Sequence, residues 1–361
     1  MIKFLDIYNQ DKKYHNLILR DFKNFFKKGD FILGNEVKKF EKNFSLICNS
    51  KYSIGCANGT DALTIALKSL NLEKNSEVII PAMTYCSTAF SIFNANLKPI
   101  LVDTDHMSPT ISLNELKKRI TKKTRVIMPV HLYGSVVDIR EIKKIIKKRK
   151  IFIIDDCAQA HGAKDDKGRK VGSLADISTF SLYPGKNLGA YGDAGVITTN
   201  NKSLYEKIRK IRNLGAEKKF RHEIIGMNSR LDSMQALILN YKLKDLTRLN
   251  QLRRKIASEY DRKIINNKIQ KIKYSKHSVF HQYVIIVKER KRLIEYLKKS
   301  QIQFGFHYPH AIHQLEVFKK LFKKKRFSNA EILAKYGISI PINPLLTKKE
   351  VLYIINKLNS F

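Results

Sequence analysis

Residues 179–193 have the sequence TFSLYPGKNLGAYGD, in which an apolar strand ends at Ser181 and a Pro-Gly bend follows it. The bend presents one lysine, Lys186, among small residues and further glycines. Most of the other basic residues lie in Lys-Lys runs on predicted helix faces, so this setting is unusual. A lysine held in a partly dry pocket can lose its proton and act as an amine nucleophile. On this stretch alone, a solvated lysine in a surface turn is the alternative.

On both sides of this stretch, short apolar segments alternate with helical segments from about residue 59 to residue 200. Short, nearly continuous apolar strands separated by helices are typical of a parallel sheet that is covered on both faces. The predicted strands are residues 78–81, 100–102, 126–130, 151–154, 177–182 and 195–199.

The two ends of the chain have a different pattern. Amphipathic helices are predicted at 12–28 and 35–47, and a long helical pattern covers 230–258. A C-terminal α+β unit is predicted from strands near 279–287 and 303–307 and helices near 289–299 and 348–359. We therefore expect an α/β fold. Its large domain, residues 1–250, holds a mixed, mostly parallel sheet between helices, and residues 251–361 form a small C-terminal α+β domain.

The composition fits a folded protein with a large excess of positive charge. The 361 residues are 43% hydrophobic and 28% charged, and 69 Lys and Arg against 32 Asp and Glu give a net charge of +37. This charge could solvate the surface, attract an anionic metabolite or bind nucleic acid. Lysine is spread over nearly every predicted helix instead of forming a stripe or arm, so nucleic acid is the least favoured partner.

The sequence contains no sign of a membrane partner or an oxidising compartment. No apolar run reaches 18 residues, so no transmembrane helix is expected. The chain meets Asp6 at once and lacks the apolar region of a signal peptide. The four cysteines form no Cys-x-x-Cys pair. We therefore expect a cytoplasmic protein.

The phosphate motifs of common nucleotide folds are missing. The Gly-Lys pair at 185–186 is followed by Asn187, which breaks Gly-x-x-x-x-Gly-Lys-Ser/Thr, and the later glycines are spaced Gly-x-x-Gly-x-x-Gly. Nucleotide hydrolysis and a dinucleotide Rossmann site are therefore disfavoured. Residues 58–61, NGTD, offer another anion site, because they precede a helix whose exposed amides attract anions and whose glycine permits close approach. A plain helix cap is the alternative.

Two acids end a predicted buried strand in residues 153–161, IIDDCAQAH. A carboxylate is costly to bury there unless it meets a cation or a metal, and this edge is where open α/β sheets bind ligands. Metal ligation by Asp155, Asp156 and His161 has no second ligand cluster nearby, so we expect no metal; helix capping is another interpretation. A helix start for phosphate, an acid for a pyridinium nitrogen and a lysine for a Schiff base are the parts of a pyridoxal 5'-phosphate site.

Six segments, in order along the chain, resemble the DegT/StrS family of sugar aminotransferases, which are fold-type I enzymes similar to aspartate aminotransferase. The resemblance covers essentially the whole chain. The segments are 57–63 (ANGTDAL), 81–85 (PAMTY), 131–134 (HLYG), 156–163 (DCAQAHGA), 181–195 (SLYPGKNLGAYGDAG) and 226–232 (GMNSRLD).

The resemblance implies pyridoxal phosphate as cofactor and a role for each matching residue. Lys186 would form the Schiff base and later act as general base and acid, and Asp156 would pair with the pyridinium nitrogen. Gln159 would lie near the ring oxygen of the cofactor, and Tyr85 would stack on its ring. The phosphate would be held by Gly59, Thr60 and Ser181.

The resemblance also implies an assembly. Asn228 matches the family residue that reaches the phosphate of the neighbouring subunit, which implies a homodimer with composite active sites. Asp155 stands where glutamate is common, and its side chain should point away from the ring. The structural alternatives are core packing for Tyr85, a helix cap for Asn228, a strand-end hydroxyl for Ser181, and satisfied structural histidines for His131 and His161.

The family acts on nucleotide-linked keto sugars with L-glutamate as the usual amino donor, and two substrate phosphates suit an electropositive cleft. Residues 184–193 resemble the branch that aminates C3. This implies that a dTDP-3-oxo-6-deoxyhexose becomes a dTDP-3-amino-3,6-dideoxyhexose in a ping-pong reaction, for lipopolysaccharide or another surface polysaccharide. C4 amination or a UDP-linked sugar is the alternative. Positions that match the sugar side of that branch, each with a surface or packing role as the alternative, are Tyr183, Lys219, His307 and Tyr308.

The same residues disfavour three rival functions. A second class of this fold dehydrates sugars with pyridoxamine phosphate and replaces the lysine with histidine, so Lys186 disfavours it. A non-catalytic regulator that keeps the fold is disfavoured by the intact Lys186, Asp156 and Gln159. A basic nucleic-acid-binding protein is opposed by the lack of a basic arm.

Overall fold

A seven-stranded sheet lies at the centre of the fold, and a three-stranded sheet lies in its C-terminal part. The structure is a computed structural model that describes residues 1–147, 149–218, 220–323 and 325–361. Its strands are β1 Tyr52–Cys56, β2 Glu77–Pro81, β3 Lys98–Val102, β4 Thr124–Ile127, β5 Phe152–Asp156, β6 Ile177–Ser181, β7 Gly195–Thr199, β8 Ala216–Lys218, β9 Arg221–His222, β10 Gln270–Lys271, β11 Tyr283–Ile286 and β12 Gly337–Ile340.

Helices surround both sheets. They are α1 Ile7–Lys28, α2 Asn35–Cys48, α3 Gly59–Ser69, α4 Cys86–Asn94, α5 Leu113–Arg119, α6 Ile139–Ile146, α7 Lys202–Arg212, α8 Ser233–Lys242, α9 Leu246–Lys263, α10 Arg290–Lys299, α11 Ser328–Tyr336 and α12 Lys348–Asn359. Short 3₁₀ turns occupy Leu132–Gly134, Leu243–Asp245, Ile312–Gln314 and Glu316–Phe318.

The large sheet is mixed and mostly parallel, with strand order β1-β7-β6-β5-β4-β2-β3. The pairs β3–β2, β2–β4, β4–β5 and β5–β6 are parallel, and β7 runs antiparallel to both β6 and β1. The carboxyl ends of β5 and β6 therefore meet at one edge of the sheet. This topology confirms the predicted α/β fold class.

Both faces of the large sheet are buried, which explains why its strands are nearly continuous apolar runs. Neighbouring residues point to opposite faces, so Ile80 and Ile154 pack into one hydrophobic cluster while Ile79 and Ile153 pack into another. Helix α3 lies on β6 and β7 and also contacts α4 and α7. Alternation and double coverage together hold the strand ends in fixed positions.

The C-terminal part contains an antiparallel sheet, β10-β11-β12, with its own hydrophobic cluster that includes Tyr283 on β11. The strand predicted near 303–307 is wrong: this segment makes only isolated bridges, among them Gly305 with Ser339 on β12. The long helix predicted for 230–258 is divided by the 3₁₀ turn Leu243–Asp245. The domain boundary at residue 250 falls inside α9 and stays a prediction.

Within the described part of the chain, no helix combines the length and the apolar character that crossing a bilayer requires.

One buried ion pair joins the first helix to the rest of the fold. The Lys242 ammonium on α8 lies 2.7 Å from an Asp11 carboxylate oxygen on α1, and the two side chains are 4% and 2% exposed. Breaking such a pair leaves one charge buried without compensation.

We therefore expect Lys242→Met to lower the free energy of unfolding by about 3–5 kcal/mol. The double variant Asp11→Leu/Lys242→Met should recover much of this loss, because no charge stays buried. Guanidinium denaturation followed by circular dichroism measures both. The control Lys202→Met removes an exposed lysine and should change stability by less than about 0.5 kcal/mol. Equal stability of the two single variants would contradict the buried pair.

Candidate active site

A cavity of about 810 Å³ opens at the carboxyl ends of β5 and β6. It brings together ten of the twelve predicted site residues from segments that are far apart in the sequence. They are Gly59, Thr60, Tyr85, Asp156, Gln159, Ser181, Tyr183, Lys186, His307 and Tyr308.

Lys186 follows β6 in a tight turn, where its backbone N–H donates to the Tyr183 carbonyl (2.9 Å). Glycine is required later in this turn, because a Cβ at Gly189 would lie 2.6 Å from the same carbonyl oxygen. Desolvation lowers the pKa of Lys186 from 10.5 to about 8, and the nearby Asp156 carboxylate opposes this shift. The amine is therefore much closer to its neutral, nucleophilic form than a surface lysine is.

Asp156 is the last residue of β5 and is 5% exposed. The Thr88 hydroxyl donates to its Oδ2 (2.9 Å) and the Ala158 N–H donates to its Oδ1 (3.1 Å). Burial nevertheless raises the pKa of this carboxyl, against the effect of both hydrogen bonds and of the Lys186 cation. The protein alone therefore compensates the buried charge incompletely, and a cationic ligand group would complete it.

The first turn of α3 presents free backbone amides to the cavity. Asn58 caps this helix by accepting from the Asp61 N–H (2.8 Å), but the amides of Gly59 and Thr60 donate to no acceptor among the described residues. Gly59 also lies against the end of β6, since a Cβ there would stand 2.6 Å from the Ser181 Cβ. Two free amides at a helix start, flanked by hydroxyls, suit an anion such as phosphate.

Another part of the wall is held by a glutamine. Gln159 accepts from the Tyr133 N–H through Oε1 (2.6 Å) and donates through Nε2 to the Tyr308 hydroxyl (2.8 Å). The Tyr85 ring lies 5.3 Å from the Tyr308 ring, and about half of the Tyr85 surface is exposed. Desolvation lowers the pKa of His307 to about 4, so its imidazole is neutral at physiological pH.

Two predicted residues are not among the described residues that line this cavity. Asn228 is exposed, pairs with Asn213 in an isolated bridge and is absent from the cavity lining. Lys219 lies outside the described residues.

Two histidines of the matching segments are buried outside the cavity lining. The His131 Nε2 donates to Asp155 Oδ2 (3.1 Å), and its Nδ1 accepts from the Val137 N–H (3.0 Å), which fixes the tautomer. Asp155 therefore contacts His131 and not the cavity. His161 packs 5.4 Å from the Phe180 ring, and burial lowers its pKa to about 3.

Sequence reasoning missed several polar residues of the wall. Thr88 holds Asp156, and the Ser87 hydroxyl accepts from the Thr60 hydroxyl (2.8 Å). Both lie in the first turn of α4, next to Tyr85, so the family segment that ends at Tyr85 was the available signal. Arg253 and His281 also line the cavity, but nothing in their local sequence distinguishes them from other basic residues.

A lysine of lowered pKa, a buried acid and an anion-binding helix start define a pyridoxal phosphate-dependent enzyme. The chain belongs to the DegT/DnrJ/EryC1/StrS aminotransferase family, whose model matches residues 13–359. Membership confirms the predicted resemblance, the transaminase class and the cofactor. A solved protein of the same fold from Bacillus subtilis, NtdA, was determined with the cofactor pyridoxamine phosphate bound.

Individual relatives span the whole chain. A dTDP-3-amino-3,6-dideoxy-α-D-galactopyranose transaminase from Aneurinibacillus thermoaerophilus is 39% identical over 100% of this chain and 99% of its own. A pleiotropic regulatory protein from Geobacillus stearothermophilus is 38% identical over 100% and 98%. The crystal structure of DesV from S. venezuelae, 31% identical, superposes with a TM-score of 0.96 over 99% and 98%. Further relatives are named for UDP- and GDP-linked sugars.

The residues present fit pyridoxal phosphate. The free amides of Gly59 and Thr60 match its anionic group, and the Lys186 amine of lowered pKa matches its aldehyde. The uncompensated carboxyl of Asp156 matches a protonated ring nitrogen. Three separate chemical features of one cavity therefore agree with one cofactor.

The pKa of Lys186 predicts how loading with cofactor depends on pH. Only the neutral amine attacks an aldehyde, so the loading rate should rise as the pH increases through about 8, well below the ordinary 10.5. Stopped-flow absorbance after pyridoxal phosphate is mixed with cofactor-free protein measures this rate. Asp156→Asn removes the interaction that raises the pKa of Lys186, so its midpoint should move to lower pH. A wild-type midpoint near that of a surface lysine would contradict the buried amine.

Proposed function

We propose that the protein transfers an amino group from L-glutamate to a nucleotide-linked keto sugar. The favoured acceptor is a dTDP-3-oxo-6-deoxyhexose, which becomes a dTDP-3-amino-3,6-dideoxyhexose. The observation that carries the proposal is the position of Lys186 and Asp156 in one cavity with the free amides of α3. The relative from A. thermoaerophilus supports the sugar and the position, because it is named for a dTDP-3-amino-3,6-dideoxy sugar.

The residues of the chain divide the chemistry between them. When bound, pyridoxal phosphate supplies an electron sink for negative charge that develops beside its ring. Asp156, held by Thr88, keeps positive charge at the ring nitrogen. Lys186 takes the proton from the donor carbon and, in the second half-reaction, delivers a proton to the sugar carbon. A pKa of about 8 suits both directions of transfer near neutral pH.

The described residues that we assign to the sugar side of the cavity are aromatic and uncharged. Tyr183 is 57% exposed at its rim, and the Tyr308 hydroxyl is held by Gln159. His307 is neutral and can exchange hydrogen bonds with sugar hydroxyls. Hydroxyls and aromatic faces of this kind suit a hexose ring. The family resemblance implies a substrate-binding role for Lys219 as well.

A different acceptor sugar and a non-catalytic role are the two alternatives to this function. C4 amination or a UDP-linked acceptor would use the same lysine and differ only at the sugar wall. A non-catalytic regulator is favoured by one observation, the name of the 38% identical relative from G. stearothermophilus. Against it, the complete set of Lys186, Asp156 and Gln159 has no evident use in a protein without turnover.

The proposal includes a homodimer with composite active sites. Asn228 is exposed outside its own cavity, as a residue that serves a partner subunit would be. Apolar side chains close to it are also exposed, with Ile225 at 94% and Leu214 at 44%. Exposed apolar groups beside an exposed polar residue are typical of a surface that a partner covers.

The variant Lys186→Ala tests the proposed function directly. Borohydride reduction of the holoenzyme should attach the cofactor to Lys186 in a peptide map, and glutamate should bleach the visible absorbance. We expect Lys186→Ala to lose the covalent cofactor and about 1000-fold or more of the turnover. Lys202→Ala, which removes an exposed lysine, should retain both.

The acceptor is then identified with a panel of dTDP- and UDP-linked 3-oxo and 4-oxo sugars. The highest kcat/KM should belong to the dTDP-3-oxo-6-deoxyhexose. Turnover of a 4-oxo or UDP-linked sugar in its place would select that alternative. Cofactor attachment without turnover of any sugar would favour the regulator.

Composite sites predict complementation between two defective variants. Lys186→Ala lacks the amine, and Asn228→Asp places a repelling charge at the partner's phosphate. A mixed dimer contains one site with both native residues, so refolding an equal mixture should restore about a quarter of the wild-type sites. Activity and gel filtration with light scattering measure this. A mixture of Lys186→Ala with the double variant Lys186→Ala/Asn228→Asp should stay inactive, because every site lacks the amine. Mixed dimers without recovered activity would exclude composite sites.

A further inference from the structure

Buried cations in this protein are paired with acids, with one exception. Arg212, Lys242 and Arg253 are the Lys and Arg residues buried within the described ranges. Arg212 donates to Glu41, and Lys242 is paired with Asp11 at 2.7 Å. No Asp or Glu of the described part lies within 4.0 Å of the Arg253 guanidinium.

Arg253 faces the cavity that contains Lys186. It lies on α9, is 4% exposed and forms part of the cavity wall. Its Nη1 donates to the carbonyls of Ile342 (3.1 Å) and Phe280 (3.5 Å), which hold the guanidinium in one orientation. Backbone carbonyls do not neutralise a charge, so a buried cation is left available to a ligand.

We propose that Arg253 binds the α-carboxylate of the amino donor. This inference rests on the function proposed above and adds a substrate-binding residue to the same site. The donor carbon that gives up its proton must reach Lys186, so the carboxylate attached to that carbon enters the same cavity. A carboxylate that leaves water needs a cation with good hydrogen-bond geometry, and a guanidinium supplies two parallel donors.

Arg253 is positively charged, whereas the histidine next to it in the cavity wall is neutral. His281 lines the cavity beside it and bonds the Asn187 side chain, next to Lys186, at 3.0 Å. Desolvation, together with the nearby Lys186 and Arg253 cations, depresses the pKa of His281 well below 6.5, so this ring is neutral. Burial lowers the pKa of Arg253 only to about 10, which leaves the guanidinium charged at physiological pH.

The deep position of Arg253 favours a small carboxylate over a nucleotide diphosphate as its ligand. Arg253 is 4% exposed and lines the cavity, so it lies deep in the wall and not at the open surface. The phosphate of the cofactor has its own site at the start of α3, formed by Gly59 and Thr60. A diphosphate attached to a bulky nucleoside suits the open rim, whereas the carboxylate of an amino acid is small enough to reach Arg253.

The test measures equilibrium binding of glutarate, which carries the two carboxylates of glutamate but no amine to react. Isothermal titration of the holoenzyme should show that Arg253→Gln weakens glutarate binding by at least about thirtyfold. Arg253→Lys keeps the charge but loses the two-pronged geometry, so it should weaken binding by at least about fivefold. Glutaramide, the neutral analogue, should bind wild type and both variants with equal, low affinity.

Arg254→Gln is the matched control, because it removes the same charge at the next position along the chain, and Arg254 does not line the cavity. It should leave glutarate binding unchanged. Steady-state kinetics add a second readout: kcat/KM for glutamate should fall in the Arg253 variants while kcat/KM for the keto sugar stays within about twofold. Unchanged melting temperature and visible cofactor absorbance of Arg253→Lys exclude a folding defect.

Glutarate binding to Arg253→Lys at wild-type affinity would overturn the proposal, and so would an equal loss of kcat/KM for both substrates. If Arg253→Gln does not fold, Arg253→Lys and the glutaramide comparison decide. A wild-type holoenzyme that binds glutarate through Arg253 but is not bleached by glutamate would support the carboxylate subsite and contradict the transaminase function, so the two failures are distinguishable.

Discussion

Burial of two opposite charges in one cavity is the constraint on which the site depends. Desolvation raises the pKa of Asp156 and lowers that of Lys186, and the attraction between the two groups opposes both shifts only in part. Each charged group therefore retains a desolvation cost that a suitable ligand would offset. The doubly covered sheet makes this possible, because rigid strand ends keep both side chains in place despite the cost of desolvation.

The parts of the fold that the sequence predicted are those determined by local patterns. β2, β5 and β7 each contain a short apolar run, because both faces of the sheet are buried. β1 was missed because Ser53 and Gly55 interrupt its apolar pattern, although its antiparallel pairing with β7 buries it. The segment near 303–307 has strand-like residues but only one bridge to β12, so tertiary pairing overrides its propensity.

The candidate site divides in the same way. Lys186 and the acids at 155–156 lie in short motifs whose residues are adjacent in the chain, so the local pattern made them candidates, and the family resemblance selected Asp156. Thr88 acts on Asp156 across the sheet edge, and its role depends on a distance of 2.9 Å that no sequence pattern contains. Arg253 is harder still to predict, because it is distinguished by the lack of an acid around it within the described structure, and most of the other basic residues have similar local sequence.

A transaminase of this kind must accept two chemically different partners in one cavity, and the distribution of charge provides a way to do so. The net charge of +37 attracts the proposed donor, glutamate, and a sugar nucleotide alike, because both are anionic, so long-range attraction cannot distinguish them. The two substrates therefore have to be distinguished by the groups that they meet at different depths in the cavity. In the proposal, the buried guanidinium of Arg253 stabilises a small carboxylate that reaches it, whereas the neutral His307 and the tyrosines of the sugar side bind sugar hydroxyls. In the proposed donor subsite, Arg253 without a bound carboxylate is an unpaired buried charge, and the cost of this state would favour binding of a donor carboxylate over water alone.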